Sequence, residues 1–327
     1  MMKTKGPLPA EAMAAGTGGH STAYYFGQLI WKLFRLVLFV CLTFVILYPV
    51  LFMLSMALRQ SSDLFDPSVI WIPKKFVFSN ILLTMEAIDY GKTLGNTVLL
   101  SVSCSLIQVF ICSLVGYGLA RFRFRGRGVL LAVLLFTIVV PPQLISLPTY
   151  FTFQNVDFFG IIQRITGAPS TISIINTPVS FLVLAVFGQG IRSGLFILIY
   201  RQFYQSLPVE LEDAAMVDGA GFARTYFRIM LPNAVTVTVV VFLFSLVWYW
   251  NDYYLTYIYA GNFKTLSTVI ANLRAAFENM QDFTYDIYQM VVMEQSSCLL
   301  FILPVLVLYI FTQRFFTEGI ERTGIVG

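Results

Sequence analysis

The sequence predicts an all-α integral membrane protein with six transmembrane helices and both termini in the cytoplasm. Three observations predict it. The 327-residue chain is 57% hydrophobic and only 12% charged, with a mean hydropathy of +0.77, whereas a soluble domain carries roughly 25% charged residues. Six apolar runs approach or exceed the ~20 residues that a membrane span needs. The basic residues between those runs are shared unequally. With the N-terminus inside, thirteen of the 21 Lys and Arg residues fall on the inner side and seven on the outer, with Arg192 inside the fourth run. An excess of Lys and Arg marks the cytoplasmic side.

The apolar runs lie near 36–58, 96–119, 129–150, 179–200, 233–250 and 288–312. Residues 1–30 read as a flexible cytoplasmic tail with Gly16, Gly18 and Gly19. The first run starts too late and is too long for a signal peptide. Residues 31–312 form the membrane domain, and 313–327 a cytoplasmic C-terminal tail. Arg121, Arg123, Arg125 and Arg127 fix the inner side most sharply, because their loop is very short. On the outer side, 59–93 is long enough for a small folded cap. Residues 151–178, with Gly160, Gly167, Pro169 and Pro178, are expected to dip into the interface. Residues 251–286 carry an amphipathic helix around Leu266–Phe277.

The residue inventory argues against chemistry. Cys41, Cys104, Cys112 and Cys298 all fall in apolar runs without metal-ligand spacing and read as packing residues. The single histidine, His20, lies in the polar tail. No catalytic or metal site is expected. Gly91-Lys92-Thr93 imitates the end of a phosphate-binding loop, but the pattern needs a glycine where Glu86 stands.

One polar island interrupts this apolar chain at 205–232, on the cytoplasmic side. Pro208 can open a helix whose first turns hold Glu210, Glu212 and Asp213, where negative charge complements the helix dipole. Ala214 and Ala215 favour helix and admit a partner closely. Asp218-Gly219 reads as a helix stop. A second helix follows from Phe222 to Met230, with Phe222, Tyr226 and Ile229 as an apolar stripe, before Leu231-Pro232 leads into the fifth run. Docking of a cytoplasmic partner and an ordinary inter-span loop both fit these residues.

Arg192, with Gln189 nearby, is a charge within the fourth run, where insertion costs at least ~2.5–3.5 kcal/mol. It reads either as a pathway-lining residue or as half of a structural ion pair, with Glu294, near the outer end of the sixth run, as a candidate partner that Arg192 lies too deep to reach without a shift in boundaries. Gly188, Gly190 and Gly194 offer close helix contacts. Pro141-Pro142 should kink the third run and free carbonyls near Gln143. Trp248, Tyr249, Trp250, Tyr253 and Tyr254 read first as an interfacial belt. Trp250 and Asn251 join Gln143, Gln189 and Arg192 as pathway-lining candidates.

The island resembles the cytoplasmic coupling loop of binding-protein-dependent ABC importer permeases, the motif Glu-Ala-Ala-x3-Gly-x9-Ile-x-Leu-Pro. Here it stands as Asp213-Ala214-Ala215, Gly219, Ile229 and Leu231-Pro232, with every spacing kept. Asp213 replaces the motif's Glu, and Glu212 precedes it, so either carboxylate can fill that role. Further stretches resemble the smaller permease subunit of the maltose-type carbohydrate branch. They are Asn96-Thr97, Gly116–Phe124, Val140-Pro141-Pro142-Gln143, Leu147-Pro148, Trp250-Asn251-Asp252, Gln313–Phe316 and Glu318–Ile320, and the ending Gly324-Ile325-Val326-Gly327. The resemblance covers about residues 30–327, and 151–178 looks longer than the branch usually has.

The resemblance implies a six-span, type I importer permease fold. It implies a second, homologous permease as heterodimer partner, two copies of a cytoplasmic ATPase that hold ATP and Mg, and an extracytoplasmic solute-binding protein. This chain itself binds no cofactor and no nucleic acid. Its bilayer is the plasma membrane of a bacterium, and its cargo a carbohydrate, an oligosaccharide by the branch it resembles. Coupling to the ATPase falls to Glu212, Asp213, Ala214, Ala215, Asp218, Gly219 and Ala220, with tail contacts from Gly324 and Gly327. A peptide or polyamine importer, and a self-sufficient secondary transporter with midplane ion sites, stand as alternatives. A membrane enzyme is disfavoured by the lack of any catalytic cluster.

Overall fold

The computed structural model describes residues 22–156, 164, 167, 172–278, 280 and 286–324, with side chains from 26 to 313. His20 and Gly327 lie outside the described residues, as does most of 157–171. The chain divides into two compact units, residues 1–53 and 54–327. Most of the first helix, α1 (Thr22–Ala57), belongs to the first unit. It starts earlier than the expected boundary at residue 31. From Leu36 its exposed residues are apolar but for Thr43, and the stretch Phe26–Ala57 is long enough to cross a bilayer, which suits a helix surrounded by lipid tails.

In the second unit, the expected cap at 59–93 is a short 3-10 turn (Ser61–Phe65) followed by α2 (Ser79–Ala87). Arg59 holds this cap together and is not a free surface charge. Its buried guanidinium donates to the carbonyls of Val69 (3.3 Å) and Ile70 (2.6 Å) and to the Ser55 hydroxyl (3.0 Å). At the exposed rim, Lys74 pairs with Asp66 and holds its carboxyl well below the usual carboxylate range.

The central element is α3 (Tyr90–Arg121), which packs against α2 and against the helices Val179–Val186, Ser193–Ser206, Val235–Asn251 and Leu266–Ala271. It runs unbroken because it lacks proline, and the hydroxyls of Thr93, Thr97 and Ser103 fold back onto their own helix, as Thr97 does onto the Thr93 carbonyl (2.7 Å). Its inward face is small: Cys104, Ser105, Cys112, Ser113 and Gly116 are buried. A side chain on Gly116 would come within 2.6 Å of the Tyr200 Cβ and 3.0 Å of the Arg201 backbone nitrogen. Only glycine lets the two backbones approach so closely.

The third apolar run is broken in two, α4 (Arg127–Val139) and α5 (Pro142–Gln154), which meet at 101°. Pro141-Pro142 removes two backbone donors there, as the sequence predicts. The fourth run corrects the expectation of one span at 179–200. It forms α6 (Val179–Val186) and α7 (Ser193–Ser206), parted by residues 187–192. Gly188 (φ 70°) and Arg192 (φ 60°) take the left-handed conformation, which no α-helix sustains.

A buried amide secures this break. Gln108 of α3 donates to the Ile191 carbonyl (2.7 Å) and the Ser193 hydroxyl (2.9 Å), and accepts from Ser245 (2.8 Å). The Ile191 N–H donates to the Tyr249 hydroxyl (3.3 Å). Gly190 lies against that hydroxyl and the Gln108 side chain, so a Cβ there would collide with both.

The chain continues through α8 (Glu210–Val217) and α9 (Phe222–Asn233). A bend of 77° then leads into α10 (Val235–Asn251). Beyond it lie α11 (Tyr254–Tyr259), α12 (Leu266–Ala271) and α13 (Leu273–Glu278). The expected amphipathic helix at 266–277 is thus two short ones, with Leu266, Leu273 and Phe277 turned inward. Finally α14 (Ile287–Gly324) carries the last apolar run and most of the expected tail as one helix around Pro304.

By length and composition, three of these helices can cross a membrane: those containing Phe26–Ala57, Tyr90–Arg121 and Ile287–Gln313. The number rises to five if each bent pair is one span. The expected sixth falls at the α6–α7 break, where neither piece is long enough alone.

Gly116→Leu should lower the thermal midpoint of the purified protein in detergent, with a loss of about 1–3 kcal/mol from overpacking. Gly128→Ala, where nothing lies within 4 Å of the added Cβ, is the comparison. Equal behaviour of the two variants would show that α3 and α7 tolerate a wider separation.

Candidate functional site

The polar island folds as the two helices α8 and α9. Glu210, Glu212 and Asp213 fall in the first turn of α8, where their charge offsets the exposed backbone N–H groups. The helix ends as the sequence predicts: Gly219 adopts φ 76°, and the Ala220 N–H reaches back to the Ala215 carbonyl (2.9 Å).

Packing separates the two adjacent carboxylates. Glu212 and Ala215, three apart, are buried, whereas Leu211, Asp213, Ala214, Met216, Val217, Asp218 and Gly219 are exposed and Ala220 is half-buried. The Glu212 Oε1 lies 3.4 Å from the Arg121 Nε, with both side chains about nine-tenths buried at 8% and 10% exposure. At that distance the contact is ionic, and neither atom completes a hydrogen bond. Arg121 Nη2 also donates to the Leu207 carbonyl (2.8 Å), and Tyr117 lies against the Glu212 carboxylate. The start of α8 is therefore clamped to the last turn of α3, and the Asp213 carboxylate is left facing outward.

α9 is anchored by rings and hydroxyls. The Tyr226 hydroxyl donates to Ser113 (3.0 Å), which shares a hydrogen bond with the Tyr204 hydroxyl (2.7 Å). Tyr117 packs on both tyrosines. The stripe differs from the expected one: Tyr226 and Met230 are buried, Ile229 is half-buried and Phe222 is exposed, touching Phe122 edge-on. Residues 226–230 form a π-helical turn, and Met230, four residues after Tyr226, shares its buried face.

The pathway-lining candidates fall on α5, the α6–α7 break and α10. Gln143 is exposed at the start of α5 and borders a cleft with Tyr254. Gln189 and Arg192 are exposed in the α6–α7 break. The Arg192 guanidinium sits 4.7 Å from the centre of the Trp248 ring, a cation–π contact. Among the described residues the ion pairs are Lys74–Asp66 and Arg121–Glu212, so Glu294 is not its partner.

Trp250 is a correction. It is buried among Leu266, Met290 and Met293, and its indole N–H donates to the Phe301 carbonyl (3.2 Å), which makes it a packing residue. Of the expected aromatic belt, Tyr249 is also buried, whereas Trp248, Tyr253 and Tyr254 are exposed. Asn251 is exposed and turns its amide back to the Val247 carbonyl (2.8 Å). Gly324 ends α14.

Sequence reasoning missed Gln108 and the Arg121–Glu212 pair. A lone amide in an apolar span was a signal for the first. Arg121 was hidden among four arginines that serve equally as topological charges.

Long apolar helices, apolar stretches bent at Pro-Pro and at Ala234, and a clamped pair of short polar helices mark a polytopic membrane protein. The chain belongs to the family described as binding-protein-dependent transport system inner membrane component, whose model matches residues 112–317. It is similar to the arabinooligosaccharides transport system permease protein of Halalkalibacterium halodurans, at 26% identity over 88% of this chain and 94% of that one. It is also similar to the maltodextrin transport system permease protein of Bacillus subtilis, at 27% over 88% and 93%. A diacetylchitobiose uptake system permease protein of Streptomyces coelicolor is 26% identical over 83% and 81%. Among solved structures, a chain of a bacterial ABC transporter that imports the acidic polysaccharide alginate shares the fold, with a TM-score of 0.63 over 89% of this chain and 98% of that one at 17% identity.

Removing one partner of a buried ion pair typically costs about 3–5 kcal/mol, so Glu212→Ala should destabilise the protein and raise amide exchange across 210–217. Asp213→Ala should change neither by more than about 0.5 kcal/mol, the usual range for an exposed site. Similar exchange rates in the two variants would show that the Arg121 contact does not hold α8.

Proposed function

We propose that this chain is a transmembrane subunit of an ATP-driven importer that moves a carbohydrate, an oligosaccharide in particular, across the bacterial inner membrane. The family and the sugar-transport relatives support the class and the cargo. The observation that carries the mechanism is the exposed face of α8. Asp213, Ala214, Asp218 and Gly219 stand beside the bare apolar side chains of Met216 and Val217, on a helix whose other face is clamped to α3. An exposed apolar patch rimmed by charge suits a protein partner, and a rigid seat is what a force-transmitting contact needs.

In this reading Asp213 and the Ala214–Ala220 face engage a cytoplasmic ATPase, and Glu212 positions that face from behind. ATP and Mg belong to the ATPase, and no covalent step falls to this chain. The assembly comprises a second, homologous permease, two ATPase copies and an external binding protein, with both termini of this chain in the cytoplasm. Gly324 and Gly327 of the C-terminal tail add a second ATPase contact. Closure of the ATPase pair on ATP swings α8 and α9 and turns the pathway outward.

Affinity purification of the tagged chain from its host in mild detergent tests this, with mass spectrometry of what comes with it. Wild type should bring an ATPase and a second permease. Asp213→Arg combined with Gly219→Asp should lose the ATPase, by at least tenfold, and keep the second permease. An intact complex that never contains an ATPase would overturn the importer reading. Uptake of labelled raffinose, maltotriose, arabinotriose and diacetylchitobiose by vesicles bearing the complete importer and its binding protein tests the cargo.

A further inference from the structure

At the end of α10 remote from α8 and α9, the second unit holds an open cleft of about 740 Å³ between α5, the turn at 174–178 and the α11 region. α10 has 17 residues, so the cleft begins ~25 Å along its axis from the Ala234 bend at 1.5 Å per residue. The volume falls within the roughly 300–1,000 Å³ usual for small-molecule sites.

Its described lining combines aromatic rings, carboxamides and aliphatic side chains. It presents the rings of Tyr150, Tyr254 and Tyr257, the amides of Gln143, Asn176 and Asn262, and the aliphatic side chains of Leu147 and Ile258, and among the described residues it contains no Asp, Glu, Lys, Arg or His. Among the described residues, no protein group engages the Gln143 or Asn262 side-chain amide. The wall itself is fixed. The buried Ser146 hydroxyl donates to the Gln143 carbonyl (2.8 Å) and shares a hydrogen bond with the Tyr254 hydroxyl (3.1 Å). The Tyr259 hydroxyl donates to the Ser146 carbonyl (3.1 Å).

Asn176 holds φ 63°, a conformation that non-glycine residues seldom adopt, and its N–H donates to the Tyr259 carbonyl (2.7 Å). Strained residues of this kind gather at ligand sites. Gly261 lies beside it, where an added Cβ would stand 3.4 Å from the Asn176 Oδ1 and 3.0 Å from the Tyr257 carbonyl oxygen.

A sugar ring has an apolar C–H face and a rim of adjacent hydroxyls that both donate and accept. Tyrosine faces cover the first, and carboxamides, which carry a donor and an acceptor together, match the second. An acyl chain would leave the amides unpaired. An acidic sugar would bring a charge that none of the described lining residues balances. We propose that this cleft binds a neutral sugar unit of the transported carbohydrate, so that this subunit contacts its cargo directly. The inference rests on the carbohydrate reading above.

The test is equilibrium binding of whichever labelled oligosaccharide the importer takes up, to the purified complex without its binding protein. Saturable binding is expected. Gln143→Ala combined with Tyr257→Ala, both exposed positions, should weaken it at least tenfold, with recovery of the ATPase in the same purification as the check on folding. Asn233→Ala, at the opposite end of α10, should leave it within twofold. An importer that takes up a sugar but shows no saturable binding, or binds it equally well in the double variant, overturns the cleft and leaves the carbohydrate reading standing. Failure to take up any of the four sugars overturns both.

Discussion

The close approach of α7 to α3 at Gly116 is the constraint on which the rest of the second unit depends. In a bilayer, apolar side chains gain nothing from leaving lipid for protein, so helices associate through close packing and internal polar contacts. Gly116 and the small residues above it supply the first, and the Gln108 and Ser113 hydrogen bonds supply the second. Once α7 is seated, Tyr200 and Tyr204 are placed to pack against the start of α9 and α10. The Leu207 carbonyl then comes within reach of Arg121, and the entry to α8 is fixed.

The same packing explains how the chain tolerates broken helices. Backbone groups exposed to lipid without partners are costly, and irregular segments persist at membrane depth only where protein satisfies them. The 187–192 break meets this condition. Gln108 takes the Ile191 carbonyl, the Tyr249 hydroxyl accepts from the Ile191 N–H, and glycine at 190 makes room for both. Arg192, the charge that the break leaves exposed, rests on the Trp248 face.

Local features were legible in the sequence, and distant pairings were not. The Pro-Pro bend, the stop at Gly219 and the acidic opening of α8 depend on residues next to one another, and each stands where the chain chemistry puts it. The island at 205–232 was legible because polar spacing inside an apolar chain is conspicuous. The break in the fourth run was not, since Val179–Val186 and Leu195–Tyr200 read as one apolar stretch and isolated glycines are tolerated in helices. Whether Glu212 or Asp213 faces outward could not be read either, because it depends on Arg121 at the end of a distant helix. Trp250 misled for a related reason: its amphipathic ring suits an interface and a core equally, and only the Phe301 carbonyl decides between them.

α10 joins two places that were described separately. At one end it meets α9 across the 77° corner at Ala234, and just past its other end stands Tyr254, a wall of the tyrosine-lined cleft. A straight rod ~25 Å long has mechanical gain: a tilt of about 10° at the corner sweeps its far end through about 4 Å. That sweep is comparable to the thickness of a sugar ring, so a modest rotation of the short polar helices is enough to open or close a gap of molecular width at the opposite end.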